Sequence, residues 1–337
     1  MRPSTPSGRL LAENRKLSVM TSPFTHIPVL LEETLQLLDL KAGDKAIDCT
    51  VGLGGHSEAL AEAVGEGGRL LCIDQDGEAL EFARQRLLRF GRRISFCRGN
   101  FRELAAMALR EGFTGVDGIL IDAGISSMQL QNAERGFAFG LNGPIDMRMD
   151  RDAEGLTAGE IVNTWDETPL ADLFFDLGEE RQSRRIAKAI VRDRPLHTTF
   201  DLASTVEKAV GSARGRTQIH PATKVFLALR IFANGELDSL SEVLPQARGL
   251  LDPGTSTTRA GRLAVISFHS LEDRIVKRYL RREAAACICP PGLPVCRCGH
   301  TATFRDLTRK AIRPNAAEVA RNPRSRSAVL RAAERIA

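Results

Sequence analysis

The chain has 337 residues, of which 43% are apolar and 26% charged, and its formal net charge is +5. This composition is typical of an ordinary globular protein and excludes a fibrous or wholly disordered chain. No run approaches roughly 18 consecutive apolar residues, so no transmembrane helix is predicted. The first 23 residues are polar and lack the apolar centre of a signal peptide, which predicts a disordered leader over residues 1–23 and a cytoplasmic location.

Strands and helices alternate in the first 122 residues. The predicted helices have apolar residues at helical spacing and cover residues 26–38, 57–64, 78–90 and 101–110. The predicted strands are short apolar runs at residues 46–48, 70–73, 94–97 and 116–122. Such alternation predicts a parallel sheet with right-handed crossovers.

The alternation stops after residue 122. Residues 123–150 show no period and predict a long, functional loop. Residues 156–235 predict several helices and few strands, which indicates an all-helical insertion. An apolar run over 262–268 predicts a strand that resumes the sheet, and the helix after it is expected to run from Ser270 to about Arg282.

A glycine-rich turn follows the first predicted strand. Asp48 ends that strand, Gly54 and Gly55 follow, and Asp74 ends the next strand. Glycines let the backbone approach a ligand, and an acid at this distance suits a ribose hydroxyl. Ser57 replaces the third glycine of a dinucleotide fingerprint. The negative charge of Asp48 is unfavourable beside a pyrophosphate. S-adenosylmethionine, which has a positively charged centre and no phosphate, therefore fits better than a dinucleotide; a tight turn without a ligand is the alternative.

Asp122 ends the fourth predicted strand. Ligands of open parallel sheets bind at the carboxyl ends of the strands, so the residues after Asp122 are expected beside the cofactor. The Asp122 carboxylate could accept a hydrogen bond from an amine, and Ser126 and Ser127 could position a substrate. The alternative is that Asp122 caps a turn and both serines are solvated.

The seven cysteines fall into two groups. Three are expected to be small buried residues of predicted strands: Cys49, Cys72 and Cys97. The other four form a Cys-x-Cys-x6-Cys-x-Cys cluster: Cys287, Cys289, Cys296 and Cys298. Four thiolates can bind zinc, but zinc-binding pairs usually enclose two or more residues. Free thiols on a turn are therefore favoured over zinc, and no metal is predicted.

The C-terminal end is basic. From Arg297 onward there are ten Lys and Arg residues against three acidic ones. A basic end on a near-neutral body suggests a polyanionic partner, with a solvated tail as the alternative.

Eight long segments resemble a known family and stand in its order. They cover nearly everything from residue 26 to residue 335: HIPVLLEE, DCTVGLGGHS, DAGISSMQL, RGFAF, GPIDMRMD, HPATKVFLALRIFANGEL, AVISFHSLEDRIVKR and NPRSRSAVLRAAER. The chain resembles the ribosomal RNA small subunit methyltransferase H family. The resemblance implies a bacterial enzyme that uses S-adenosylmethionine to methylate N4 of a cytidine in the decoding region of 16S ribosomal RNA. Ala123-Gly124-Ile125 departs from the Leu-Gly-Val more usual in the family.

The resemblance also implies an architecture. The expected fold class is α/β, with a Rossmann-like class I methyltransferase domain over residues 24–150 and 236–337 and a mostly parallel sheet. Residues 151–235 are expected to form a helical domain that recognises RNA. The implied partner is 16S ribosomal RNA, within a small ribosomal subunit, with no membrane association. The oligomeric state stays open, and a homodimer is one candidate.

The family's cofactor contacts fall on seven positions: Gly54, Gly55, His56, Asp74, Phe101, Asp122 and Gln129. Asp74 suits the ribose, Phe101 offers an apolar wall for adenine, and His56 is expected near the methionine part.

An exocyclic amine must be positioned in line with the methyl group, and its base must be unstacked into the pocket. The candidate catalytic residues are Asp122, Asp146, Arg148 and His269. The candidate substrate contacts are Ser126, Ser127, Phe137, Phe139, Arg184, Arg185, Arg324 and Arg326. A core role is the alternative for the two aromatic residues, and a solvated surface is the alternative for the arginines. Rival functions are methylation of another nucleic acid or a protein amine, and a non-catalytic RNA-binding factor of ribosome assembly.

Overall fold

The structure is a computed structural model that describes residues 27–211, 220–255, 258–290 and 295–336. The predicted disordered leader and the first residue of the predicted N-terminal helix lie outside the described residues.

Seven strands form one sheet in the order β3-β2-β1-β4-β5-β7-β6. The strands are β1 (Lys45–Asp48), β2 (Arg69–Asp74), β3 (Ile94–Arg98), β4 (Gly118–Asp122), β5 (Arg262–Ser267), β6 (Phe304–Asp306) and β7 (Val329–Arg335). The pairs among β1 to β5 are parallel, whereas β7 runs antiparallel to both β5 and β6. The predicted α/β class with a mostly parallel, Rossmann-like sheet is confirmed. The order reverses between β1 and β4, where such sheets form a crevice at the carboxyl ends of their strands.

Thirteen α-helices occur within the described ranges. They are α1 (Leu31–Leu38), α2 (Gly55–Ala63), α3 (Gly77–Arg86), α4 (Leu104–Arg110), α5 (Ser127–Gln131), α6 (Ala158–Thr164), α7 (Glu167–Asp176), α8 (Ser183–Asp193), α9 (Thr199–Val210), α10 (Ala222–Asn234), α11 (Glu236–Leu250), α12 (Ser270–Glu283) and α13 (Ala316–Arg321). Helix α1 begins five residues later than predicted, because Leu30 has a left-handed backbone with φ 53°. Residues 101–103 form a 3-10 turn before α4. No described helix has both the length and the apolarity to cross a bilayer.

The basic end is part of the sheet. Strands β6 and β7 were not predicted, because charged residues interrupt their apolar pattern. Arg331 of β7 is nevertheless 9% exposed and donates to both carboxylate oxygens of Asp273 at 2.6 and 3.2 Å. Glu334 accepts from Arg262 at 3.0 Å on the neighbouring strand. These pairs neutralise charges that would otherwise be costly to bury.

Three apolar clusters hold the protein together. One covers one face of the sheet with α4, α11 and α12, and another covers the opposite face with α1, α2 and α3. The third lies among α6 to α10 and also takes in Phe137, Ile145, Met147 and Met149 from the predicted loop. The loop is therefore anchored in the helical layer, and the domain boundary expected between residues 150 and 151 stays a prediction.

Candidate functional site

A pocket of about 360 Å³ opens at the carboxyl ends of β1, β2, β4 and β5. Its walls come from the turns after β1, β2, β3 and β4, from the junction of α10 and α11, and from residues 321–324. The pocket thus occupies the crevice where the strand order reverses.

The glycine-rich turn forms the floor of the pocket. The amide of Gly52 donates to Asp74 Oδ2 at 2.8 Å, which fixes the turn to the end of β2. Gly54 has a left-handed backbone with φ 74°, and a Cβ there would lie 3.5 Å from Ala83 and Arg86. Gly55 lines the pocket and Gly54 does not. Gly54 therefore turns the chain, while Gly55 is exposed to a ligand.

Asp74 lines the pocket with its position fixed by the backbone. Oδ1 accepts from the amide of Asp76 at 2.9 Å, and Oδ2 accepts from the amide of Gly52. Burial raises the pKa of Asp74 to about 7, although the two amide hydrogen bonds act in the opposite direction. Phe101, after β3, also lines the pocket, and its role as an adenine wall stays a prediction.

Asp48 lies beneath the pocket and is not among its lining residues. Its carboxylate accepts from Ser57 Oγ at 2.6 Å and from the amide of Thr50 at 3.1 Å. Burial raises its pKa to about 6. Asp48 is expected from the sequence to be a neighbour of the ligand, whereas its carboxyl group holds the glycine turn from below.

His56 and Asp122 meet at the inner end of the pocket. His56 Nε2 is 3.0 Å from the carbonyl oxygen of Val29, which can only accept, so Nε2 carries the proton. His56 Nδ1 lies 3.5 Å from Asp122 Oδ2. With the proton on Nε2, both of these atoms carry only lone pairs, so a hydrogen bond between them requires a further proton on the ring or on the carboxyl group. Burial, followed by the charges of Asp48 and Glu272, raises the pKa of Asp122 well above its ordinary value. Asp122 Oδ1 is buried and has no hydrogen-bond partner among the described residues.

Gln129 lines the pocket, but its amide group is already engaged. Its Oε1 accepts from the amide of Ser126 at 3.0 Å, and its Nε2 donates to Asp76 Oδ2 at 2.7 Å. Ser126 Oγ in turn caps α5 by accepting from the Gln129 amide. Both side chains therefore shape the loop after β4, in addition to facing the pocket.

Sequence reasoning missed a buried ion pair that supports this loop. Arg135 Nη2 lies 2.9 Å from Asp76 Oδ2, and both side chains are almost fully buried. Arg135 also donates to the carbonyl oxygen of Met149 at 2.8 Å. Two features of the sequence mark these residues: Asp76 is the N-cap residue before Gly77, and Arg135 lies in the RGFAF segment.

Ser127 and Arg324 meet at the rim of the pocket. Arg324 Nη1 donates to Ser127 Oγ at 2.6 Å, and both residues line the pocket. The short turn before β7 brings Arg324 there. Two members of the predicted substrate set, far apart in sequence, are therefore adjacent.

Asp146 and Arg148 form a pair outside the pocket lining. Arg148 donates to both Asp146 oxygens, at 2.9 and 3.1 Å. Burial acts to raise the pKa of Asp146, but hydrogen bonds from Arg148 hold it below the ordinary value. The pair closes a turn, and the structure does not bring it to the catalytic position predicted for it.

Phe137 and Phe139 are also not brought to the pocket. Phe137 is 6% exposed within the helical cluster. Phe139 stacks on His220 with ring centroids 4.6 Å apart and meets the edge of Phe226 at 5.5 Å. Both observations favour the core interpretation over stacking on a target base.

His269 lies behind the pocket wall. Its Nε2 is 3.1 Å from Glu272 Oε1, and it lines a second cavity with Arg326. Arg184 and Arg185 are exposed on α8 and line neither cavity. Their contact with RNA stays a prediction.

Asn234 and Glu236 are among the polar residues of the pocket lining that were not assigned from sequence, whereas Glu272, expected near the substrate side, does line it. Asn234 accepts from the amide of Met149 at 2.7 Å and donates to the carbonyl oxygen of Met147 at 2.8 Å. Arg230 donates to both oxygens of Glu236, each at 2.8 Å. The available signal was the Asn-Gly-Glu sequence at a helix junction inside the segment HPATKVFLALRIFANGEL.

A glycine turn, acidic strand ends and a crevice at the reversal of strand order together define an enzyme that binds a nucleoside-containing cofactor. The chain belongs to the MraW methylase family, whose model matches residues 23–336. The predicted family and the predicted class of enzyme, a methyltransferase, are confirmed.

Curated relatives agree with the family match. A protein of Thermomicrobium roseum named "Ribosomal RNA small subunit methyltransferase H" is 53% identical over 316 residues, which cover 93% of this chain and 94% of the relative. A protein of the same name from Dehalococcoides mccartyi is 50% identical, with coverage of 93% and 87%. Among solved structures, a SAM-dependent O-methyltransferase of Thermotoga maritima is 13% identical with a TM-score of 0.39, covering 94% of this chain and 69% of that one.

Proposed function

We propose that this chain is an S-adenosylmethionine-dependent methyltransferase that modifies N4 of a cytidine in 16S ribosomal RNA. The observation that carries the proposal is Asp122, whose side chain lines the pocket of a methylase family member beside His56 and is 19% exposed. The names of the relatives support ribosomal RNA as the substrate class. The resemblance drawn from the sequence supports the cytidine N4 position.

The pocket suits S-adenosylmethionine in both size and chemistry. Asp74 offers carboxylate oxygens to ribose hydroxyls, and Phe101 offers an apolar surface to a purine. At the inner end, the carboxyl group of Asp122 lines the pocket and suits an amine donor. The cofactor supplies an electrophilic methyl group, and the protein supplies the position and the proton acceptor.

Asp122 is the proposed proton acceptor. An exocyclic amine loses a proton when it gains a methyl group, and a nearby base can accept that proton. Burial raises the pKa of Asp122 well above its ordinary value, and a carboxylate with a raised pKa is a better base than an ordinary one. His56, 3.5 Å away, is placed to share the proton with Asp122.

A second cavity of about 540 Å³ adjoins the pocket and is the proposed contact for the RNA backbone. Phe268 lines both cavities. Lys277, Arg313 and Arg326 line the second one, and none of them has an ion-pair partner within the described parts of the chain. Unpaired cations beside a catalytic pocket suit phosphates, which fix the register of a substrate.

A methylation assay on small ribosomal subunits from a strain that lacks this enzyme tests the proposal. The full chain and labelled S-adenosylmethionine are expected to yield N4-methylcytidine on nucleoside analysis, and Asp122→Asn is expected to yield far less. Protein-free 16S RNA, assayed in parallel, distinguishes an assembled subunit from bare RNA as the substrate. Label in another nucleoside, or none in either substrate, would contradict the proposal. We also expect the protein to be located in the cytoplasm, where ribosomal subunits are assembled.

A further inference from the structure

Four cysteine sulfurs converge in the loop between α12 and β6. Cys287 Sγ lies 3.5 Å from Cys296 Sγ and 3.8 Å from Cys298 Sγ. Cys296 Sγ lies 3.9 Å from Cys289 Sγ and 3.5 Å from Cys298 Sγ. All four sulfurs lie within 4.8 Å of one another.

These separations are those of a metal site. A disulfide requires sulfurs about 2.05 Å apart, well below all of these sulfur–sulfur distances. A tetrahedron of thiolates around zinc, with Zn–S about 2.3 Å, has sulfurs about 3.8 Å apart. The one-residue spacing within each pair, which favoured free thiols, therefore does not keep the sulfurs from converging.

The backbone around the cluster also suits thiolate ligands. The amide of Cys289 points to Cys287 Sγ at 3.4 Å, and the amide of Arg297 points to Cys289 Sγ at 3.4 Å. Hydrogen bonds of this kind orient metal ligands. His300 Nε2 lies 2.9 Å from the carbonyl oxygen of Arg282, so this ring nitrogen is engaged outside the cluster.

We propose that Cys287, Cys289, Cys296 and Cys298 bind one Zn²⁺ in a structural site. Four protein thiolates fill a tetrahedral shell and leave no open position for a substrate or water, which distinguishes a structural zinc from a catalytic one. Binding deprotonates the thiols and releases their protons to solvent.

The site lies away from the reaction pocket. Helix α12 leads from Glu272 in the pocket wall to Glu283 at the start of the cysteine loop, a length of about 16 Å. The ends of the loop are held by Glu283, which accepts from Thr303 Oγ1 at 2.7 Å and from Arg248 at 2.7 Å. Zinc would close the loop that leads into β6, the edge strand of the sheet, and so stabilise that edge.

Metal analysis of the full-length, untagged protein, purified without chelator, tests the site. About one zinc per chain is expected, and Cys289→Ser/Cys298→Ser is expected to lower the content at least tenfold. Cys97→Ala removes a buried cysteine outside the cluster and is the matched control, with unchanged zinc. Zinc that persists in the double serine variant would overturn the proposal.

Two measurements on the wild-type protein keep the test decisive if the double variant does not fold. Reconstitution of the reduced, metal-free protein with Co²⁺ is expected to give the absorption bands of a tetrahedral thiolate site. Chelation is expected to make four additional thiols reactive towards a thiol reagent. Absence of zinc together with absence of the cobalt spectrum would overturn the proposal, as would four thiols that react equally fast before and after chelation.

Discussion

The two walls of the pocket are built in different ways. The sheet wall comprises residues 49–53, 55–56, 74–75 and 99–101, and it is fixed by hydrogen bonds between neighbouring turns, such as the one from the Gly52 amide to Asp74. The outer wall comprises residues 123–127, 129, 234, 236 and 321–324. Contacts between distant parts of the chain hold it, such as that of Arg324 with Ser127, 197 positions apart.

We propose that this difference separates cofactor binding from substrate positioning. The sheet wall needs only the three turns after the neighbouring strands β1, β2 and β3, so we expect it to form together with the parallel sheet. The outer wall needs the helical layer and the end of the chain to be in place. Changes to the outer wall are therefore expected to impair the position of the substrate, and changes to the sheet wall are expected to impair cofactor binding.

The largest expected effect comes from Arg135, which links the two walls through Asp76. Arg135→Met leaves the Asp76 carboxylate buried without its cation, which is expected to cost about 3–5 kcal/mol of unfolding free energy. Denaturant unfolding measures this loss. Arg92→Met, at an exposed position, is the matched control and is expected to change stability by less than about 0.5 kcal/mol. Equal stability of the two variants would show that the ion pair does not support the outer wall.

Asp122→Asn is expected to have the next largest effect, this time on the chemistry. The amide keeps the shape of the carboxylate and cannot take a proton, so the single-turnover rate is expected to fall by about 10²–10⁴-fold. The matched control is Asp146→Asn, because Asp146 was an equal candidate from sequence and is paired with Arg148 outside the pocket lining. A rate that falls further in Asp146→Asn than in Asp122→Asn would reverse the assignment.

A pH dependence of cofactor binding is expected from Asp74 in the sheet wall. Burial raises its pKa to about 7, so the carboxyl group is mostly protonated below pH 7 and ionised above it. Ribose hydroxyls donate more strongly to the ionised form, so affinity is expected to rise with pH through this range, by at most about tenfold per pH unit.

Calorimetry with 5′-methylthioadenosine, which lacks the amino acid part of the cofactor, isolates this contribution between pH 6 and 8. Asp74→Asn removes the titrating group and is expected to bind more weakly, without the rise. A rise of the same size in the variant would show that another group is responsible.

The same difference between the walls explains what the sequence could predict. The glycine turn, Asp74 and Asp122 follow from local patterns, since each ends or follows an apolar strand. Arg135 and Asn234 could not be found in this way, because their roles depend on partners contributed by distant segments. Strand β7 escaped prediction because the charges of Arg331 and Glu334 are neutralised by residues outside the strand.

The smallest expected effect concerns the second cavity, which adjoins the pocket at Phe268. Arg326→Ala is expected to weaken RNA binding a few-fold and to lower the slope of log affinity against log salt by about one, because one phosphate contact is lost. Arg92→Ala is the matched control, since Arg92 is exposed just before β3, at the opposite edge of the sheet. Filter binding to small-subunit RNA over a range of salt concentrations measures both variants. If Arg326→Ala left the slope unchanged while Arg184→Ala lowered it, the RNA backbone would lie along α8, and the second cavity would not be its contact.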